Sequence, residues 1–204
     1  MEPPCVAQAF AFARERHNGQ RRRDRSSSPF IVHPLEVKHL LLTTAGVTDP
    51  KTLAAALLHD LLEDTRTTGA EIEERFGSEV RSLVEALTDD PHLSREARHR
   101  RQEQGVLSLA LPALLIKLAD KTSNIRDLGA DSPLGWSRER KLDYLAHAAR
   151  VAGGCAGSSP ALFREFARVH HSARAAVERS IRHSGRRAAG AWQENGVVCG
   201  HAGL

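Results

Sequence analysis

Apolar residues recur along this chain at intervals of three and four, and turn residues separate the runs. Val6, Ala9, Phe10 and Ala13 share one helical face and predict a first helix from Val6 to about His17. Residues 18–29 carry an arginine cluster, a serine run and Pro29, and predict a loop. The short apolar landing Phe30-Ile31-Val32 leads into His33-Pro34, where a proline suits a first helical position because its missing N–H has no partner there anyway. That helix carries Leu35, Val37, Leu40, Leu41 and Leu42 and stops at Gly46. Asp49-Pro50 repeats the device and opens a central helix that runs through Asp64. Thr68 and Glu71 make a capping box for a short helix ending at Phe76-Gly77. Ser78 opens the next, with Val80, Leu83, Val84 and Leu87 on one face.

Residues 89–105 are highly charged and predict an exposed helix with flanking loops. Leu114 to Leu128 form an apolar helix with one polar stripe, Lys117, Asp120, Lys121 and Asn124, at i, i+3, i+4 and i+7. Ser137 opens a helix to about Val151, residues 152–159 read as a flexible joint, and Pro160 opens a last helix to about Ile181. The remaining residues, rich in Gly, Ala and Arg, predict a disordered tail. Strand signals are absent almost everywhere, so the fold class expected is all-α.

The central helix carries the informative anomaly. After the apolar run Ala54 to Leu58 come His59, Asp60, Glu63 and Asp64. On a continuous helix, at about 100° per residue, these four crowd one arc. A packed interior does not accept three carboxylates and an imidazole without compensation, and a divalent metal would supply it. The plainer alternative is a helix end with hydrated charges. His33 at a helix start and Asp120 on the polar stripe complete a candidate ligand set with His59 and Asp60: two imidazoles and two carboxylates from three helices. Mixed N/O donors without thiolate suit manganese, iron or zinc and leave positions open for water and substrate.

Composition narrows the setting. The 204 residues suggest one domain with a tail, and scarce aromatics with abundant Leu, Ala and Val suit helices. No apolar run reaches about 20 residues, so no membrane span is expected. The N-terminus shows no basic segment followed by an apolar one, so secretion is not expected. Cys5, Cys155 and Cys199 are odd in number and far apart, which reads as reduced thiols in a cytoplasmic protein. A net charge of +4 allows a polyanionic partner, and a nucleotide satisfies it as well as a nucleic acid.

Glu63 and Asp64 lie one turn beyond the proposed ligands, placed to take the proton of an attacking water. Arg22, Arg23, Lys117 and Lys121 have no acidic partner in sequence and suit phosphate. These parts describe a metal-dependent phosphohydrolase for a phosphate-rich small molecule, and no P-loop, GxGxxG or GxSxG motif competes.

The pattern His33…His59-Asp60…Asp120 resembles the HD metal-dependent phosphohydrolase superfamily. Longer matches add specificity: Arg16-His17-x-Gly19-Gln20-x-Arg22-Arg23, Pro29-Phe30-Ile31-x-His33-Pro34, Ala56-Leu57-Leu58-His59-Asp60-x-x-Glu63-Asp64-Thr65, Phe76-Gly77 and Lys117-Leu118-Ala119-Asp120-Lys121-x-x-Asn124. In that order they resemble the hydrolase domain of the RelA/SpoT stringent-response enzymes, and more closely the stand-alone Mesh1-type alarmone hydrolases, over residues 6 to about 175. The resemblance implies an HD-domain helical bundle over residues 1–181 with a metal site between helices; the basic tail over 182–204, expected from composition, has no counterpart in it. It implies one Mn²⁺ on His33, His59, Asp60 and Asp120, with Glu63 and Asp64 as the catalytic pair. Arg22 and Arg23 would meet base and phosphates, and Asn124 the sugar or a phosphate. The implied reaction is hydrolysis of the 3′-diphosphate of ppGpp or pppGpp to GDP or GTP and pyrophosphate. NADPH is implied as a second substrate. Resembling enzymes often carry Lys at Arg23, Tyr at Phe30, and Tyr or His at Ser123. These departures spare the metal set and bear on base selectivity, Phe30 and Ser123 each removing a polar or stacking contact.

Three other readings compete. One keeps the chemistry with another nucleotide, NADPH or a deoxynucleotide. Another is a nucleic-acid-binding module on the basic end (Arg164, Arg168, His170, His171, Arg174, Arg179, Arg182, His183, Arg186, Arg187), which lacks the aromatic interleaving that stacks bases. The third is a catalytically silent regulator, against which stand all four ligands and both acids. The partner expected is therefore a small nucleotide, with neither membrane nor nucleic acid.

Overall fold

The computed structural model describes residues 4–22, 26–133 and 135–191, with side chains through residue 179. Ten α-helices follow one another among these residues: α1 Pro4–Arg16, α2 Val32–Thr43, α3 Pro50–Leu58, α4 Leu61–Asp64, α5 Gly69–Phe76, α6 Ser78–Leu87, α7 Arg95–Gly105, α8 Leu111–Ala130, α9 Arg138–Gly154 and α10 Pro160–Ala191, with a 3₁₀ turn at Val106–Ser108. No strand is present among the described residues. One isolated bridge, Arg21 to Pro29, closes the basic loop.

The punctuation of the sequence acts locally as its chemistry requires. Asp49 caps α3 by accepting from the Thr52 N–H at 2.8 Å, and Pro50 occupies the first turn. Thr68 and Glu71 form the capping box of α5. Ser94 and Ser137 cap α7 and α9 through the N–H groups of Ala97 and Arg140. After α2, Gly46 at φ 69° turns the chain in a conformation that a side chain would strain, and the Val47 N–H returns to Leu41 O.

Helix α3 runs through the middle. Every residue from Thr52 to Leu58 is buried, and α1, α2, α6 and α8 pack around it. Small residues Ala54, Ala55 and Ala56 let these neighbours approach closely. Helix α8 is the second axis, lying against α2, α9 and α10. At Gly129 a Cβ would come within 2.8 Å of the Ala173 Cα, so α8 and α10 touch backbone to backbone there.

Three departures from the sequence expectation have physical causes. The central helix does not run to Asp64: it ends at Leu58 and resumes at Leu61. The expected joint at 152–159 is packed. Helix α9 continues to Gly154, where a Cβ would run into Val106 Cγ1, and Cys155 is buried. Its glycine therefore serves close approach to the 3₁₀ turn. Helix α10 continues ten residues past Ile181, to Ala191. The rest of the expected tail, 192–204, lies outside the described residues, as do the side chains of Arg182, His183, Arg186 and Arg187.

Candidate active site

The break after α3 organises the site. His59 closes the helix, and Asp60 at φ −94°, ψ −3° turns the chain into α4. Successive residues of a continuous helix diverge by about 100°, which would set His59 and Asp60 at the two edges of their shared arc. The turn brings them together, with Asp60 Oδ1 3.1 Å from His59 Nε2. Asp60 O still accepts from the N–H of Asp64 at 2.9 Å, which keeps α4 anchored. The four ionisable groups expected on one arc thus divide. His59 and Asp60 face inward, whereas Glu63 and Asp64 stand at the exposed mouth.

His33 enters from the first turn of α2. His33, His59 and Asp60 each bring one donor atom within 4.8 Å of the other two. Asp120 of α8 joins them, its Oδ1 3.2 Å from His33 Nε2 and 3.8 Å from His59 Nε2. Both rings are fixed from behind. His59 Nδ1–H donates to Ala56 O at 2.9 Å. His33 Nδ1–H donates to Ser123 Oγ at 3.1 Å, and that hydroxyl donates to Glu36 Oε2 at 2.8 Å. Each Nε2 therefore faces the carboxylates, and His59 Nε2 is buried without a hydrogen-bond partner. Two oriented imidazoles grouped with the Asp60 carboxylate, with the Asp120 carboxylate against both rings, fit a divalent cation.

The electrostatics agree with that fit. Burial pulls the His59 imidazole down, but Asp60 and Asp120 outweigh it and push it up to about 9. Burial would raise Asp120, yet Lys121 and the two imidazoles hold it well below the usual carboxylate range. Without a cation the site thus borrows protons to balance its carboxylates.

Glu63 accepts from the Asp89 N–H at 2.6 Å. Its inner side is crowded by the cleft, and this desolvation lifts its carboxyl to about 7 against the pull of that N–H. Desolvation, then the charge of Asp60, also raises Asp64. Asp64 is strapped from outside: His17 Nδ1–H donates to Gln20 Oε1 at 2.7 Å, and Gln20 Nε2 donates to Asp64 O at 2.7 Å. Phe30 packs against His17, ring centroids 4.6 Å apart.

The cations without partners in sequence have them in space. Arg22 meets Asp127 Oδ2 at 2.6 Å and Asn124 Oδ1 at 3.4 Å. Lys117 Nζ donates to Leu87 O at 3.1 Å, and buried Lys121 stands 3.6 Å from Asp120 Oδ2. Asn124 also donates to Asp120 Oδ1 at 2.5 Å. Arg22, Lys117, Lys121 and Asn124 all line one cleft of about 180 Å³ with the ligand set. Arg23 lies outside the described residues. Ser123 bridges His33 to Glu36.

Sequence reasoning missed a second depression of about 220 Å³ between α7 and α9, lined by Arg95, His99, Trp136, Arg140 and Tyr144. The Arg140 guanidinium lies 4.3 Å from the Trp136 ring centre, and Tyr144 neighbours Lys121. The available signal was Trp136 four positions before Arg140 in a chain poor in aromatics.

The signature of the HD domain matches residues 9–144. The chain belongs to the HD-domain family. Within it, this HD-domain protein is 44% identical over 157 residues to the guanosine-3′,5′-bis(diphosphate) 3′-pyrophosphohydrolase MESH1 of Xenopus tropicalis, covering 77% of this chain and 88% of the relative. The enzyme of the same name from Homo sapiens is 44% identical over 158 residues, covering 78% and 88%. A solved structure, described as a metazoan ortholog of SpoT that hydrolyzes ppGpp and plays a role in starvation responses, superposes with a TM-score of 0.81 at 34% identity. It covers 84% of this chain and 96% of its own.

Proposed function

We propose that this HD-domain protein hydrolyses the 3′-diphosphate of ppGpp and pppGpp, giving GDP or GTP and pyrophosphate. The observation that carries the reading is the convergence of His33, His59, Asp60 and Asp120 beside Glu63 and Asp64, in a chain nearly half identical to enzymes named for that reaction. We assign the four converging residues as ligands of one Mn²⁺, for which their mixed N/O donors are suited. A divalent ion held there would supply Lewis acidity toward a phosphoryl oxygen and toward the attacking water.

The residues perform the remainder. Glu63, whose raised carboxyl sits near neutrality, accepts the proton of the attacking water. Asp64, held by the Gln20 strap, orients that water. Arg22, Arg23, Lys117 and Lys121 neutralise the substrate's phosphates, and Asn124 meets its sugar or a phosphate. Overall one water adds across the bond between the 3′ oxygen and the diphosphate.

Among the described residues no helix is long and apolar enough to cross a membrane, and Cys5 and Cys155 are free thiols. Both support our placing the enzyme in the cytoplasm.

The test is release of pyrophosphate and GDP from ppGpp by purified protein, with Mn²⁺ and with EDTA. Mn²⁺-dependent release is expected. Absence of release from protein shown to hold its metal overturns the substrate, and phosphate release from NADPH then identifies the alternative.

A further inference from the structure

Helix α7 gives Gln102 to the lining of the cleft, yet none of its residues is buried. An exposed helix of charged residues has little apolar area to hold it in place. Helix α9 holds it: Arg150 pairs with Glu103 Oε2 at 2.9 Å, and the buried His147 meets three of its side chains. His147 is 1% exposed, and three α7 residues at i, i+3 and i+4 converge on its ring. His99 stacks on it with centroids 3.7 Å apart and planes 4° from parallel. Gln102 Oε1 lies 3.0 Å from Nε2, and Glu103 Oε1 lies 2.8 Å from Nδ1.

The Gln102 amide is not free to turn over. Its Nε2 donates to Asp89 Oδ2 at 2.6 Å, so its carbonyl oxygen faces His147 Nε2. Asp89 in turn donates its backbone N–H to Glu63 Oε1 at 2.6 Å. The contacts therefore run in one line, from His147 through Gln102 and Asp89 to Glu63. Each link orients the next, as partners behind a functional group do elsewhere.

We propose that His147 is a positioning residue for Glu63. It clamps α7 over the cleft and, through Gln102, fixes the loop whose Asp89 N–H aims the Glu63 carboxylate. This rests on the reading of Glu63 as the group that takes the water's proton. No group of the relay is a proposed metal ligand, so the clamp acts on the base and leaves the ion's binding alone.

The test uses the full chain with two variants. His147→Phe keeps an aromatic ring against His99 and removes both hydrogen bonds. Gln102→Leu keeps the bulk and cuts the relay one link later. Three quantities are read: hydrogen exchange at the Asp89 amide, metal content, and kcat and KM for pyrophosphate release from ppGpp. In both variants the Asp89 amide is expected to exchange about 10-fold faster. Metal content stays at the wild-type level. Turnover falls roughly 10- to 100-fold, and KM moves by less than about threefold. The double variant is expected to be no slower than the slower single one, because both act on one chain. Unchanged Asp89 exchange, additive losses, or a change confined to KM overturns the proposal. If His147→Phe does not fold, Gln102→Leu decides on the same readouts. The exchange measurement needs no substrate, so it stands even if ppGpp proves not to be turned over.

Discussion

The hydroxyl of Ser123 lies 3.1 Å from Nδ1 of His33, joining two residues 90 positions apart. The same oxygen donates to Glu36, and Arg126 ties Glu36 on to Glu165 of α10. A carboxylate, a hydroxyl and an imidazole thus form a line that points one nitrogen at the metal position. Ser123→Ala removes the middle of that line while leaving all four proposed ligands. Metal affinity is expected to fall roughly 10- to 100-fold, read by competition with a chelator. Unchanged affinity would show that packing alone holds His33.

Ligand and base separate in paired variants. Asp120→Ala is expected to lose bound Mn²⁺ and, with it, turnover. Glu63→Gln keeps the metal and loses about 10²- to 10⁴-fold in kcat, since the amide cannot take a proton. Metal analysis beside single-turnover kinetics checks both. A fast Glu63→Gln enzyme with full metal would remove Glu63 from the proton transfer.

The sign of the pH dependence follows from two raised groups. His59 rises from 6.5 to about 9 and Glu63 from 4.5 to about 7 in the metal-free fold. Each binds its proton more tightly folded than unfolded, so each contributes stability at low pH and loses it as pH rises. The Glu63 share disappears between about 4.5 and 7, and the His59 share between about 6.5 and 9. Burial holds His147 down at about 4, which opposes the Glu63 share below about pH 6.5, so metal-free protein should melt progressively lower between about 6.5 and 9, as calorimetry would show. Metal binding must displace the His59 proton, so loading Mn²⁺ near pH 7 should release acid, measurable in weakly buffered solution.

Gly129→Ala tests the contact between α8 and α10. Its Cβ would meet Ala173 Cα at 2.8 Å and Cβ at 2.9 Å, forcing two helices apart. A loss of about 1–3 kcal/mol is expected by urea denaturation, as for other overpacked positions. A shift confined to a few tenths would mean that α10 slides without cost.

The helices were legible because their signals are local. Asp49-Pro50, Thr68 with Glu71, and Ser137 each act within one turn of themselves. The grouping of His33, His59, Asp60 and Asp120 was legible because chemistry constrains where buried carboxylates can go. The break at His59-Asp60 was not, since Ala54 to Asp64 holds no Gly or Pro, and only the packed bundle makes the turn preferable. Ser123 and Glu36 carry no pattern in sequence; they are paired by the docking of α8 on α2. Gly153-Gly154 reads as slack until Val106 is seen to fill the space. The same holds for His147, whose three partners lie on another helix.

The four groups proposed to hold the ion come from α2, from the turn after α3, and from α8. A nascent chain carries His33, His59 and Asp60 well before Asp120 has been made. Until α8 emerges and seats against α2, the first three have no fourth donor, and Ser123 is not behind His33. The proposed metal set is therefore complete only once α8 has docked against α2.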